Sequence, residues 1–159
     1  MSPRVRVLGL ALVACGVLLA VLPAFDWFSA DLPSGPDRLT GYGATGETWI
    51  LPALGGLLAL LGGRVAWMRP AVGGRDARRI GALVLLGAGL GVAWAARSAI
   101  LPPVDVVAER IGAPPAVLAG DWQVSVLAPA WITVAAAALA GMVGVLLIAG
   151  RPDPPRTTA

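Results

Sequence analysis

Four apolar stretches of about twenty residues dominate the chain and limit what it can fold into. They cover residues 5–23, 48–68, 80–99 and 126–149. A helix needs roughly 20 apolar residues to cross the hydrocarbon core, and backbone groups in lipid must bond within their own segment. The sequence therefore predicts an all-α integral membrane protein, a four-helix bundle with up-down-up-down topology. Two extracytoplasmic loops, residues 24–47 and 100–125, complete this single predicted domain, which covers residues 1–150. Residues 151–159 are predicted to form a disordered cytoplasmic tail.

The composition supports a membrane protein and excludes a soluble domain of ordinary type. Hydrophobic residues make up 57% of the chain, charged residues only 13%, and the mean hydropathy is +0.80. Soluble domains carry about a quarter charged residues. The formal charge of +3 would suit a nucleic-acid partner, but the arginines lie in short clusters beside the apolar stretches. That placement is typical of membrane proteins, so no nucleic-acid partner is predicted.

The distribution of arginine predicts the orientation. With four spans, both termini and the connection between spans two and three share one side. That side holds nine of the twelve basic residues: Arg4, Arg6, Arg64, Arg69, Arg75, Arg78, Arg79, Arg151 and Arg156. Because arginine accumulates in cytoplasmic segments, we expect a multi-pass protein of the cell membrane with both termini in the cytoplasm.

Residue types that the chain lacks exclude several chemistries. There is no His and a single Cys, so Cys–His and Ser–His pairs and Cys/His metal sites cannot form. We therefore expect no enzyme, no cofactor and no metal. External carboxylates leave acid–base chemistry or a Ca²⁺ site open, although a solvated loop surface accounts for them equally well. These acids are Asp26, Asp31, Asp37, Glu47, Asp105, Glu109 and Asp121.

The first apolar stretch has three readings. Residues 1–24 have the basic start and apolar core of a signal peptide, and "LVAC" around Cys15 resembles a lipobox. However, the apolar run is long for a signal peptide and continues beyond Cys15. A permanent span with Cys15 as a buried small hydrophobe is favoured.

Small residues recur at four-residue spacing in every span, which favours close helix packing. The face predicted in span two contains Gly55 and Gly63, and that in span three contains Gly87 and Gly91. The diglycine at residues 55–56 also recurs seven residues later. These faces either pack inside the bundle or contact a partner, and the sequence leaves both readings open.

The first external loop combines aromatic, acidic and Gly-rich segments. Phe25, Trp27 and Phe28 are predicted to dip into the headgroup layer. Residues of this loop and of the end of span three could contact a partner: Trp27, Phe28, Tyr42, Glu47 and Arg97. Glu47 and Arg97 would lie at the same depth and could form an ion pair. The six tryptophans fall near predicted span ends and suggest an interfacial belt: Trp27, Trp49, Trp67, Trp94, Trp122 and Trp131.

The stretches "TGYGATGETWILPALGGLLALLGGR" and "APAWITVAAAALAGMVGVLLIAGR" resemble the actinobacterial tryptophan-associated transmembrane family. Its members are small four-span proteins found near tryptophan-biosynthesis genes. The resemblance covers most of the chain and implies a four-span fold. The first external loop is long for that family. No catalytic residue is carried over from it.

Three classes of function fit these observations. The favoured one is a non-enzymatic envelope protein that binds or scaffolds another membrane protein through its helix faces and external cap, with the lipid bilayer as its solvent. A second copy of the chain is an equally suitable partner. The alternative is a transport or channel accessory subunit for a small or amphipathic molecule, which predicts a continuous polar cavity. A membrane enzyme would need two external carboxylates about 5–10 Å apart.

Overall fold

The computed structural model describes residues 3–32, 35–44, 49–67, 74–100 and 124–149. Within these residues the chain is mostly helical, and four helices are long and apolar enough to cross a membrane. The long helices are α1, Pro3–Val21; α3, Ile50–Trp67; α4, Gly74–Ile100; and α5, Ala128–Ala149, with a four-residue helix α2 at Gly41–Ala44. The prediction of four membrane-spanning helices is confirmed at this level. Among the helices, the main difference between prediction and structure is that α4 begins at Gly74, before the predicted residue 80.

A small antiparallel sheet lies at one end of the helices and was not predicted. A 3₁₀ turn, Leu22–Ala24, follows α1 and leads into β1, Asp26–Leu32, β2, Gly35–Thr40, and finally α2. The third strand, β3, Val124–Val126, precedes α5 and pairs with the other side of β1. The strand order is β2-β1-β3. We call the 3₁₀ turn, the three strands and α2 the sheet cap.

Helices α1 and α3 touch backbone to backbone through paired glycines. A Cβ atom added at Gly9 would lie 2.8 Å from the carbonyl oxygen of Gly62, and one added at Gly16 would lie 2.5 Å from that of Gly55. Between Gly9 and Gly16 the residue number rises along α1, while that of the facing glycine on α3 falls from 62 to 55, so the helices are antiparallel. We call these four residues the glycine seam. Only glycine permits so close an approach, which maximises the van der Waals contact that holds helices together in lipid.

Helices α4 and α5 form a second close pair. A Cβ atom at Gly81 would lie 2.8 Å from the carbonyl oxygen of Gly144, and the Cβ atom of Ala88 would lie 3.6 Å from one built at Gly141. The contact therefore progresses in opposite directions along the two helices. Small buried side chains continue it toward the sheet cap: Ala95, Ala130 and Ala137.

The two helix pairs join through α1 against α5 and α3 against α4. Larger apolar side chains reach across this interface: methyl groups of Leu58 and Leu19, both fully buried, lie 3.6 Å and 3.2 Å from Cβ atoms built at Gly87 and Gly91 of α4. The outward surfaces of all four helices also carry large exposed apolar residues, such as Leu60, Leu86 and Met142. An apolar exterior around an apolar interior is the pattern of helices that reside in lipid.

Candidate functional site: the sheet cap and the glycine faces

A β-bulge at Trp27 shapes the sheet cap. On β1 the register passes from Asp26 opposite Thr40 to Phe28 opposite Leu39, which leaves Trp27 as the extra residue. Neighbouring residues of a regular strand point to opposite faces, whereas a bulge redirects a side chain. As a result Trp27 and Phe28 are both fully buried. Their rings meet edge to face, with centroids 6.4 Å apart.

Trp27 connects three parts of the structure. Its indole Nε1–H donates a hydrogen bond to the Leu22 carbonyl oxygen at 3.0 Å, in the 3₁₀ turn that ends α1. Its own carbonyl oxygen accepts from the N–H of Leu127 at 2.7 Å, immediately before α5. Its ring lies so close to Gly41 that an added Cβ atom would be 2.7 Å away. The residue thus joins the end of α1, the start of α5 and α2.

Tyr42 also acts on the end of α1. Its hydroxyl donates to the carbonyl oxygen of Ala20 at 2.8 Å, a group that has no partner within a helix so near its terminus. The N–H of Gly43 donates to Thr40 Oγ1 at 3.1 Å and fixes the turn from β2 into α2. The Tyr42 hydroxyl, predicted to be a partner contact, is therefore occupied within the chain.

Burial corrects the prediction of a headgroup position for Trp27 and Phe28, whereas Phe25, the third residue of that prediction, is exposed. The rings of Trp27 and Phe28 are both 0% exposed, so they belong to the core of the sheet cap and neither is open to lipid or to a partner. The interfacial belt is therefore smaller than predicted. Trp49, Trp67 and Trp131 are exposed, Trp94 is half-buried, and Trp122 lies outside the described residues.

The charged groups of the cap are few among the described side chains. Asp26 and Arg38 form an exposed ion pair, with Arg38 Nη1 3.8 Å from the carboxylate. Exposed pairs of this kind contribute little to stability. Arg97 is exposed near the end of α4. Glu47, its predicted partner, and the acids Asp105, Glu109 and Asp121 lie outside the described residues.

The four predicted glycines separate into internal and outward positions. Gly55 lies in the glycine seam together with Gly62, whereas Gly63, which was predicted to share a face with Gly55, lies outside the seam. Gly91 is also internal, since an added Cβ atom would lie 3.2 Å from a methyl of Leu19, and Gly87 has ordinary space beside Leu58. Gly63 points away from the other helices and meets only the ring of Trp67 on its own helix.

Polar groups inside the described helices offer little chemistry. The hydroxyl of Ser98 donates to the carbonyl oxygen of Trp94, and that of Thr133 to Pro129, each within its own helix. Cys15 is buried between helices. No group of three or more His, Cys, Asp or Glu residues that could hold a metal ion is found in the described part of the chain. Trp94 Nε1 is a buried polar atom without a hydrogen-bond partner.

Comparison of the chain with protein family models, with curated proteins and with solved structures finds no match. Sequence reasoning missed Gly9 as a packing residue and included Gly62 only as a member of the recurring diglycine. The signal was present, since Gly9 and Gly16 are seven residues apart, as are Gly55 and Gly62.

Proposed function

We propose that this chain is a non-enzymatic integral membrane protein that binds or scaffolds another membrane protein, with both termini in the cytoplasm. The four long helices form an up-down-up-down bundle in the lipid bilayer. The observation that carries the proposal is that a second face of α3, turned away from the rest of the chain, presents open glycines. Membership of the tryptophan-associated family stays a prediction.

The packed interior is the first support. Backbone contacts between α1 and α3, and between α4 and α5, leave no room for a solute within either helix pair, because a single methyl group would already clash there. Large apolar side chains fill the space between the pairs. We therefore place the proposed binding surface on the exterior of the bundle.

The outward face of α3 is the second support. A Cβ atom added at Gly56 would meet nothing within 4 Å, and Gly63, seven residues on, is nearly as open. Leu60 lies between them and is 76% exposed. Glycines seven residues apart are the arrangement by which α1 and α3 already pack. The same spacing on the outside suits close approach of a helix from another membrane protein.

The alternative is an accessory subunit of a transporter or channel for a small or amphipathic molecule. It requires polar groups that face a common path. Ser98 and Thr133 bond within their own helices, and within the described residues the unpartnered Trp94 Nε1 is the single observation in favour of this alternative. Because the hydroxyls of Ser98 and Thr133 do not face a common path, we favour the scaffold over the accessory subunit.

Cross-linking in native membranes tests the proposal. A tagged chain is cross-linked and purified, and its partners are identified by mass spectrometry. The test variant is the double substitution Gly56→Leu with Gly63→Leu, which fills the outward face without touching the glycine seam. Gly89→Leu is the matched control, because an added Cβ atom there also meets nothing within 4 Å, but on α4.

We expect one membrane protein, or a second copy of this chain, to be enriched with the wild type and with Gly89→Leu. The double variant should lose it while retaining its helical content and melting temperature. The proposal fails when no partner is reproducibly enriched, or when both variants retain the partner equally. An equal loss of the partner in Gly89→Leu would also contradict the proposal that the partner binds the outward face of α3.

A further inference from the structure

Arginines from α1 and α3 lie at one level, at the end of the helices opposite the sheet cap. The glycine seam sets this level, since Gly9 is opposite Gly62 in antiparallel helices. Arg6, three residues before Gly9, is therefore within about one residue of the level of Arg64. Arg4 lies half a turn further out. All three side chains are exposed.

Helix α4 brings two more arginines to the same level. A Cβ atom added at Gly91 would lie 3.2 Å from a methyl of Leu19 on α1. Both helices run toward the sheet cap and are therefore parallel to each other. Arg6 lies thirteen residues before Leu19 on α1, and Arg78 lies thirteen residues before Gly91 on α4, so the two arginines are at the same level. Arg79 follows, and both are exposed. Three helices thus contribute to what we call the arginine layer: Arg4, Arg6, Arg64, Arg78 and Arg79.

The arginine layer has almost no countercharge among the described residues. Asp76 is the one described acid at this end, and no ion pair joins it to any of the five arginines. The opposite end differs, because there Arg38 is paired with Asp26. Five guanidinium groups at one level repel one another and attract an anion at low ionic strength.

The position of the layer identifies the anion. Arg6 lies fifteen residues from Val21 at the other end of α1, or about 23 Å along the helix axis, so the layer borders the hydrocarbon core. The exposed indole of Trp67 lies at the same level, as is typical of the headgroup region. Guanidinium groups bind phosphate oxygens through paired hydrogen bonds.

We propose that the arginine layer binds the headgroups of anionic phospholipids, so that the protein retains such lipids at this end in preference to zwitterionic ones. The layer is formed by exposed side chains of α1, α3 and α4, which present their guanidinium groups to the surrounding headgroups. This role is independent of the scaffold function and of any partner on the outward face of α3.

Lipid titration of the purified protein tests the proposal. The detergent-solubilised chain is titrated with phosphatidylglycerol or phosphatidylcholine, and bound lipids are counted by native mass spectrometry. The test variants are Arg64→Gln and Arg78→Gln. Arg97→Gln is the matched control, because Arg97 is also exposed and lies at the other end of the same helix as Arg78. Circular dichroism verifies that each variant is folded.

We expect tighter binding of phosphatidylglycerol than of phosphatidylcholine, and a loss of about fivefold in each test variant, the effect of one arginine at an anionic surface. Arg64→Lys retains the charge but not the paired hydrogen bonds and should therefore retain only part of the binding, whereas Arg97→Gln should retain all of it. Equal binding of the two lipids, or an equal loss in Arg97→Gln, overturns the proposal. Displacement of the lipid by millimolar inorganic phosphate would reassign the layer to a free anion and also overturn it.

Discussion

Gly16 and Gly55 each lie against the backbone of the other. A Cβ atom added to either residue would be 2.5 Å from the carbonyl oxygen of its counterpart. Because the obstructing atom is backbone, neither helix can yield without moving as a whole. This reciprocal contact, repeated at Gly9 and Gly62, sets both the distance and the register between α1 and α3. The register in turn places Arg6 and Arg64 of the arginine layer at one level.

Gly55→Ala should therefore destabilise the protein, whereas Gly56→Ala should not. Overpacking of a tight contact costs about 1–3 kcal/mol. At Gly56 there is open space, and alanine is the better helix former by about 1 kcal/mol. The two positions are adjacent in sequence and in the same helix, so each controls for the other. Reversible unfolding in mixed detergent measures both free energies, and equal effects at the two positions would contradict the seam.

A second prediction concerns Trp27. Trp27→Phe retains an aromatic ring but removes the donor to the Leu22 carbonyl oxygen, which should lower the free energy of unfolding by about 1 kcal/mol or more. Trp49→Phe is the control because Trp49 is 69% exposed. Thermal unfolding followed by circular dichroism compares the two. A larger loss at Trp49 would show that Trp27 does not anchor the sheet cap.

A third prediction couples Gly41 to Trp27. Gly41→Ala places a methyl group against the indole ring, at 2.7 Å, and should be destabilising in the wild type. With Trp27→Ala as the background, the ring is absent and only the contact with Pro23 Cα at 3.0 Å remains, so the same substitution should have a smaller effect. A double-mutant cycle on the free energy of unfolding measures this coupling. Additive effects of the two substitutions would disprove the contact.

Sequence reasoning found the helices but not the sheet, for physical reasons. The spans are continuous apolar runs, and their hydropathy is a property of each segment alone. Strand β1, by contrast, is defined by partners on both sides, and β3 is nearly a hundred residues away. The bulge also breaks the alternation of apolar and polar residues, which is the local sign of a strand. "FDWFSAD" consequently has the appearance of a loop.

The division of the α3 glycines between the glycine seam and the outward face has a different origin. The recurrence of two diglycines seven residues apart is visible in α3, but either member of each pair could face α1. The choice depends on the rotation of the helix about its axis. That rotation follows from where Gly9 and Gly16 lie on the facing helix, which is information about a pair of helices and not about one.

The orientation of the helices leads to the last prediction. The arginine layer is predicted to face the cytoplasm, and the sheet cap the opposite side. With Cys15 replaced by serine, single cysteines introduced as Ser125→Cys on β3 and as Arg78→Cys on α4 occupy exposed positions at opposite ends of the helices. A membrane-impermeant maleimide applied to intact cells should label the cysteine at position 125 and spare the one at 78. Permeabilised cells supply the control, since both cysteines should then react. Labelling only at position 78 in intact cells would reverse the topology and would move the arginine layer, with any lipid it binds, to the outer leaflet.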